Sequence, residues 1–122
     1  MQTQPAKIEL ASRLDSKGNF VRSASTFRNF ISSESDAQYP PESGRYHVYV
    51  NLACPWANGV LATIELKGLN KHFTVSTTRP EFGIINEETG KGGWVFDESS
   101  KTERFEAIDS ILGKKSVLDI YR

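Results

Sequence analysis

Arg45-Tyr46-His47-Val48-Tyr49-Val50-Asn51, running directly into Leu52-Ala53-Cys54-Pro55-Trp56-Ala57, is the stretch on which the fold turns. The first half alternates β-formers, with Tyr46, Val48 and Val50 on one face and His47 and Tyr49 on the other, which predicts a strand over 45–51. Pro55 suits the first position of a helix, where its missing N–H would have had no partner. Beyond it, Ala57, Val60, Leu61 and Ile64 recur at i, i+3, i+4 and i+7, one apolar stripe of a helix. Gly68 stands where a left-handed residue would end that helix. A second strand is predicted over about 72–77, with Phe73 and Val75 on one side. Strand, helix and strand in this order make a βαβ unit, right-handed by the usual rule if the strands are parallel.

The junction carries the chemistry. Cys54 is predicted at the N-cap, where unpaired backbone N–H groups and the positive end of the helix dipole favour a thiolate, the nucleophilic form of cysteine. A two-thiol oxidoreductase would have a second cysteine three positions on, but that residue is Ala57, and Cys54 is the only cysteine of the chain. A mixed disulfide on Cys54 would therefore need an outside thiol to resolve it, and glutathione is the abundant cytosolic candidate. The competing reading is a buried cysteine that acts as a small hydrophobe.

Outward from this unit the reading becomes coarser. Residues 1–44 are polar and broken, with apolar anchors at Phe20, Phe27, Phe30 and Ile31, and read as an extended N-terminal arm. Residues 45–122 read as the folded domain. Pro80, Gly83, Gly90, Gly92 and Gly93 predict a long loop over 79–93. Phe105, Ile108 and Leu112, followed by Gly113, predict a helix over 102–112, and a short turn over 116–121 closes the chain. Two paired strands seldom stand alone, so the expected sheet is incomplete.

The chain has 122 residues, 38% hydrophobic and 25% charged, so a folded core is expected. Fifteen basic and fifteen acidic residues cancel to zero, which leaves no basic footprint for nucleic acid. No apolar run approaches the roughly 20 residues of a membrane span, and no membrane partner is expected. Met1 to Lys7 lacks the pattern of a leader peptide. A single cysteine makes a reducing, cytoplasmic setting the default.

Taken in order, several stretches resemble one family. Arg45-Tyr46-His47-Val48-Tyr49-Val50, Cys54-Pro55-Trp56-Ala57 and Leu66-Lys67-Gly68-Leu69 look like the signature of the glutathionyl-hydroquinone reductases, or xi-class (omega-like) glutathione transferases. Phe20-Val21-Arg22, Ser25-Thr26-Phe27-Arg28 and Pro41-Glu42-Ser43-Gly44 upstream fit that family, as do Gly93-Trp94-Val95-Phe96 and Leu118-Asp119-Ile120-Tyr121 downstream. The resemblance covers nearly the whole chain and implies an α/β fold. This would be the thioredoxin-like βαβ unit of a glutathione transferase N-terminal domain, without its later strands and its helical domain.

The resemblance further implies that the Cys54 thiolate attacks the sulfur of a glutathionyl-hydroquinone. It would keep the glutathione as a mixed disulfide and release the hydroquinone, and a second glutathione would free the enzyme. Trp94 would pack on bound glutathione, and Pro55 and Trp56 are the further candidate glutathione-binding residues; the competing readings are that Trp94 fills a core and that Trp56 only packs against its neighbours. Glutathione is then a co-substrate, no metal is required, and the full-length parent would be a homodimer.

Three departures from the family pattern stand out. Asn58-Gly59-Val60 lacks the basic residue often found after the alanine, residues 82–92 are longer than usual ahead of Trp94, and the chain ends before the γ-glutamyl and quinone sites. Two other readings remain: a non-catalytic thioredoxin-like binding fragment, and an omega-like transferase or dehydroascorbate reductase that shares the Cys-Pro start. His47, His72 and Cys54 match no common zinc spacing. Gly90-Lys91-Gly92-Gly93 lacks the phosphate-loop pattern, and Glu87-Glu88 reads as a solvated loop tip.

Overall fold

A computed structural model of the chain describes residues 14–22 and 24–121. These fall into two compact units that meet in sequence between Pro41 and Glu42.

The first unit, up to Pro41, holds little regular structure. Leu14 and Phe20 form an isolated antiparallel bridge, closed by Asp15, whose carboxylate accepts from the amides of Lys17 and Asn19 at 2.8 Å. The apolar residues expected to act as anchors, Phe20, Phe27, Phe30 and Ile31, are all exposed.

The second unit is built on β1 (Tyr46–Val50), α1 (Pro55–Leu66) and β2 (Phe73–Thr77). The two strands pair in parallel, with Tyr46 opposite Phe73, Val48 opposite Val75 and Val50 opposite Thr77. The predicted βαβ order is therefore observed. Helix α1 ends as its glycine requires. Gly68 takes φ +67°, its amide donates to Glu65 at 3.0 Å, and the Leu69 amide donates to Ile64 at 2.8 Å. That pair of bonds is a Schellman motif, in which a left-handed glycine lets the last carbonyls find donors.

The apolar stripe of α1 is only partly covered. Ile64 is buried and Ala57 and Leu61 are half-buried, while Val60 remains 47% exposed. Val50, Ile64 and Ala107 are the buried hydrophobic residues among those described. Polar side chains fill the middle instead: Ser76, Thr77, Thr78 and Ser116 are nearly inaccessible.

Two expectations are corrected. The loop predicted over 79–93 is a hairpin, β3 (Gly83–Asn86) against β4 (Lys91–Gly93), with a bulge between Ile84 and Asn86. Asn86 accepts from the Thr89 amide at 2.8 Å, and Gly90 turns the chain at φ +64°. A side chain on Gly93 would run into Ile85, so the glycines are there to let the strands approach.

The helix predicted over 102–112 does not form. Thr102 Oγ1 accepts from the amides of Arg104 and Phe105, and Asp109 accepts from those of Ile111, Leu112 and Lys114. Between these turns Glu106 lies beside β2, its carbonyl accepting from Thr77 at 2.8 Å. Side chains that capture local amides compete with a helix, and here they win. The closing turn holds a short helix, α2 (Val117–Ile120), capped by the Ser116 hydroxyl.

Candidate functional site

The site begins where β1 stops. Val50 ends the strand, and the next three residues turn the chain so that Cys54 becomes the N-cap of α1 in extended conformation, φ −90° and ψ 118°. Pro55 takes the first helical position. The first intrahelical bond runs from the Asn58 amide to the Cys54 carbonyl at 3.1 Å. The amides of Trp56 and Ala57 therefore lack intrahelical acceptors, as helix starts require. The first turn carries no acidic side chain to oppose a negative charge there. Cys54 is a free, half-buried thiol, within reach of small solutes yet fixed by the backbone on both sides.

Asn51 holds this turn in place, and the sequence reading missed it. Its Oδ1 accepts from the Ala53 amide at 2.9 Å and its backbone carbonyl accepts from the Cys54 amide at 3.0 Å. Its Nδ2 donates to Thr78 Oγ1 at 3.0 Å and to the Arg79 carbonyl at 2.6 Å. The signal that could have revealed it is the Asn-x-Ala spacing of an Asx-turn immediately before the cysteine.

The predicted site residues separate into two groups. Cys54, Pro55 and Trp56 are contiguous by necessity. Trp56 is 80% exposed and lines a shallow groove of about 380 Å³ with Val48, Val60 and Phe73, a groove whose walls do not include Cys54. Trp94 lies just past β4, 37% exposed, with its ring edge-on to Phe82 at 4.6 Å. The two groups connect through Arg79. Its carbonyl receives Asn51, while its amide donates to Val95, next to Trp94, at 2.9 Å. A groove of about 400 Å³ opens along this seam, lined by Leu52, Thr78, Arg79, Pro80 and Ser99. The Arg79 guanidinium bonds Glu81 at 2.6 Å and reaches Asp97 at 3.8 Å, and these contacts hold its pKa above the ordinary value.

Under the sheet lies a second polar cluster. His47 spends both ring nitrogens on hydroxyls, Nδ1 on Thr74 at 2.7 Å and Nε2 on Ser76 at 2.9 Å. Burial lowers its pKa, against the opposing pull of Asp109. The Tyr49 hydroxyl donates to Asp109 at 2.7 Å. Burial and that carboxylate push the tyrosine up to about 12. Burial alone would raise Asp109, but the amides of Leu112, Lys114 and Ile111 together with Tyr49 hold it down at about 2. His72 is engaged elsewhere, its Nδ1 2.7 Å from Ser43 Oγ, so the two histidines do not converge on Cys54.

No protein-family model matches the chain. It is 39% identical over 88 residues to a glutathionyl-hydroquinone reductase of Escherichia coli, covering 67% of the chain and 25% of that protein. It is 41% identical over 106 residues to a glutathionyl-hydroquinone reductase of Sphingobium chlorophenolicum, covering 87% and 29%. An omega-like glutathione S-transferase of Schizosaccharomyces pombe is 39% identical over 83 residues, 68% of the chain and 24% of the relative. Among solved structures, the xi glutathione S-transferase of Phanerochaete chrysosporium superposes with a TM-score of 0.69 at 34% identity, over 88% of the chain and 31% of its own. The chain thus spans about a quarter to a third of the length of the proteins it matches.

Proposed function

From the premise that this chain shares sequence and fold with the glutathionyl-hydroquinone reductases and xi-class glutathione transferases, we propose that Cys54 is the acceptor of a glutathionyl group in glutathione-dependent reduction. The observation that carries the reading is a lone thiol capping α1 directly after β1, with Pro55 at the first helical position. In the first step the Cys54 thiolate attacks the sulfur of a glutathionyl-hydroquinone. A sulfur–sulfur bond forms, the carbon–sulfur bond breaks, and the ring carbon keeps the electron pair and takes a proton. In the second step the thiolate of another glutathione attacks the mixed disulfide, giving glutathione disulfide and restoring Cys54. The two glutathiones lose the two electrons that the hydroquinone gains. With Ala57 where a resolving cysteine would stand, no disulfide within the first turns of α1 can short-circuit the cycle.

Trp94, beside Phe82, is the proposed wall for bound glutathione, and Pro55 and Trp56 border the thiol. A cytoplasmic setting and a homodimeric whole protein complete the proposal. None of the helices among the described residues is long and apolar enough to cross a membrane.

Incubation with glutathione disulfide is expected to add one glutathione to Cys54, removable by excess glutathione and absent in Cys54→Ser. A wild-type chain that never carries the adduct overturns the proposal. The similarity to omega-like transferases keeps a second reading, in which dehydroascorbate or another oxidant is the substrate. Turnover with glutathionyl-menadione against turnover with dehydroascorbate decides between them. An adduct without turnover of either would favour a non-catalytic binding module.

A further inference from the structure

The turn before Cys54 is fastened by one side chain, and where it is fastened matters for the reaction. Asn51 is 8% exposed, and the described structure uses both ends of its carboxamide. Its Oδ1 makes the local turn by accepting from Ala53. Its Nδ2 reaches across to the Arg79 carbonyl, which also accepts from Thr78 Oγ1 at 3.2 Å. The peptide on the other side of Arg79 donates to Val95. One residue therefore receives the cysteine turn on its carbonyl and the Trp94 segment on its amide.

We infer that Asn51 is a positioning residue for the thiol step. Its Nδ2 ties the Cys54 turn to the Arg79 carbonyl and so sets the sulfur against the segment that carries Trp94. The inference rests on the reading of Cys54 as a glutathionyl acceptor. It assigns the distance between nucleophile and aromatic wall to a bond outside both.

The chemistry explains why this bond and not the local one is decisive. The Ala53 contact closes a turn within three residues and leaves that turn free to pivot about the end of β1. The Nδ2 contacts to Thr78 and Arg79 join positions 27 and 28 residues apart in sequence and remove the pivot. Attack on a disulfide sulfur needs the thiolate aligned with the sulfur–sulfur axis, and misplacing a reacting group by about 1 Å can cost up to roughly 100-fold in rate. A small alkylating reagent that no site has to orient is indifferent to the pivot.

The test compares the full chain with its Asn51→Asp and Asn51→Ala variants. Aspartate keeps an oxygen for the Ala53 amide but cannot donate to the Arg79 carbonyl. Alanine loses these contacts and the one to Thr78 without burying a charge. Two rates are measured on each protein by mass spectrometry: addition of glutathione from glutathione disulfide, and labelling by iodoacetamide, with circular dichroism to verify the fold. Both variants are expected to lose about tenfold in glutathione addition while iodoacetamide labelling stays within about twofold. If Asn51→Asp unfolds, the neutral Asn51→Ala decides. Two outcomes overturn the role of Asn51 while leaving that of Cys54 intact: glutathione addition at the wild-type rate in the folded variants, or a parallel loss in both rates. A wild-type chain that takes no glutathione removes the function itself.

Discussion

The segment from Tyr46 to Thr77 and the segment from Asp97 to Asp119 are built on different terms. The first is held by repetition: a five-pair parallel ladder, a twelve-residue helix and its glycine cap. The side chains there that bond to backbone, those of Asn51, Asn58, Thr63 and Thr77, add to a ladder and a helix that already stand. The second has almost no repeating backbone bonds. It is held by Asp97 on Ser99, Thr102 on two amides, Asp109 on three amides and Tyr49, and Ser116 on Asp119. A ladder spreads its stability over many peptide groups, whereas a chain of caps concentrates it in a handful of carboxylates and hydroxyls. Single substitutions should therefore weigh very differently on the two segments.

The largest contrast is expected at Asp109. Removing its carboxylate strands several amides and a half-buried tyrosine hydroxyl, so Asp109→Ala is expected to cost about 2–4 kcal/mol in urea denaturation. Thr63→Ala in α1 removes only a back-bond to the Gly59 carbonyl and should stay within about 0.5 kcal/mol. Equal losses at the two sites would break the comparison.

A smaller effect sharpens it through pH. Asp109 is held below its ordinary value, so its contribution is complete above about pH 4 and is lost as pH falls toward about 2. Tyr49 is raised to about 12, so its contribution is complete below about pH 10 and is lost as pH rises toward 12. His47 is also lowered, and it begins to withdraw stability as pH drops below its ordinary value of 6.5. Thermal midpoints of wild type should thus form a plateau with both flanks falling; Tyr49→Phe should flatten the alkaline flank and, by removing one of the donors that lower Asp109, soften the acid flank to a smaller extent. An unchanged alkaline flank would remove the Tyr49–Asp109 bond from the account.

The smallest effect lies in α1. Gly59 has open space where a Cβ would stand, so Gly59→Ala is expected to stabilise the chain by about 0.5–1 kcal/mol, measured by denaturation midpoint. A loss would mean that something packs on that face.

The contrast between the segments also explains what could be read without coordinates. Alternation at Tyr46–Val50, Pro55 at a helix start and Gly68 at its end are periodic or positional signals, and the structure realises them. Phe105, Ile108 and Leu112 also carried a helical period. Yet Thr102 and the Asp109–Gly113 spacing point to capped turns, and one-residue captures have no period to detect. The hairpin was hidden because Gly83 and Gly93, which allow its strands to approach, are residues that weaken a strand in isolation. Cys54 was legible because its position is defined by local chain order. The place of Asn51 depends on Arg79, which only the third dimension brings near.

The buried hydroxyls of Ser76, Thr77 and Thr78 at the centre of the unit have a calorimetric consequence. Hydrating newly exposed apolar surface raises the heat capacity of an unfolding chain, while hydrating polar surface lowers it. A centre filled with serine and threonine, with most large hydrophobic side chains already in contact with water, leaves little apolar surface to uncover. The heat-capacity increment should fall below the roughly 12–15 cal/mol/K per residue of ordinary domains. The stability curve of this unit would then be shallow, changing little between a cold room and body temperature, because what is undone on melting is mostly hydrogen bonding.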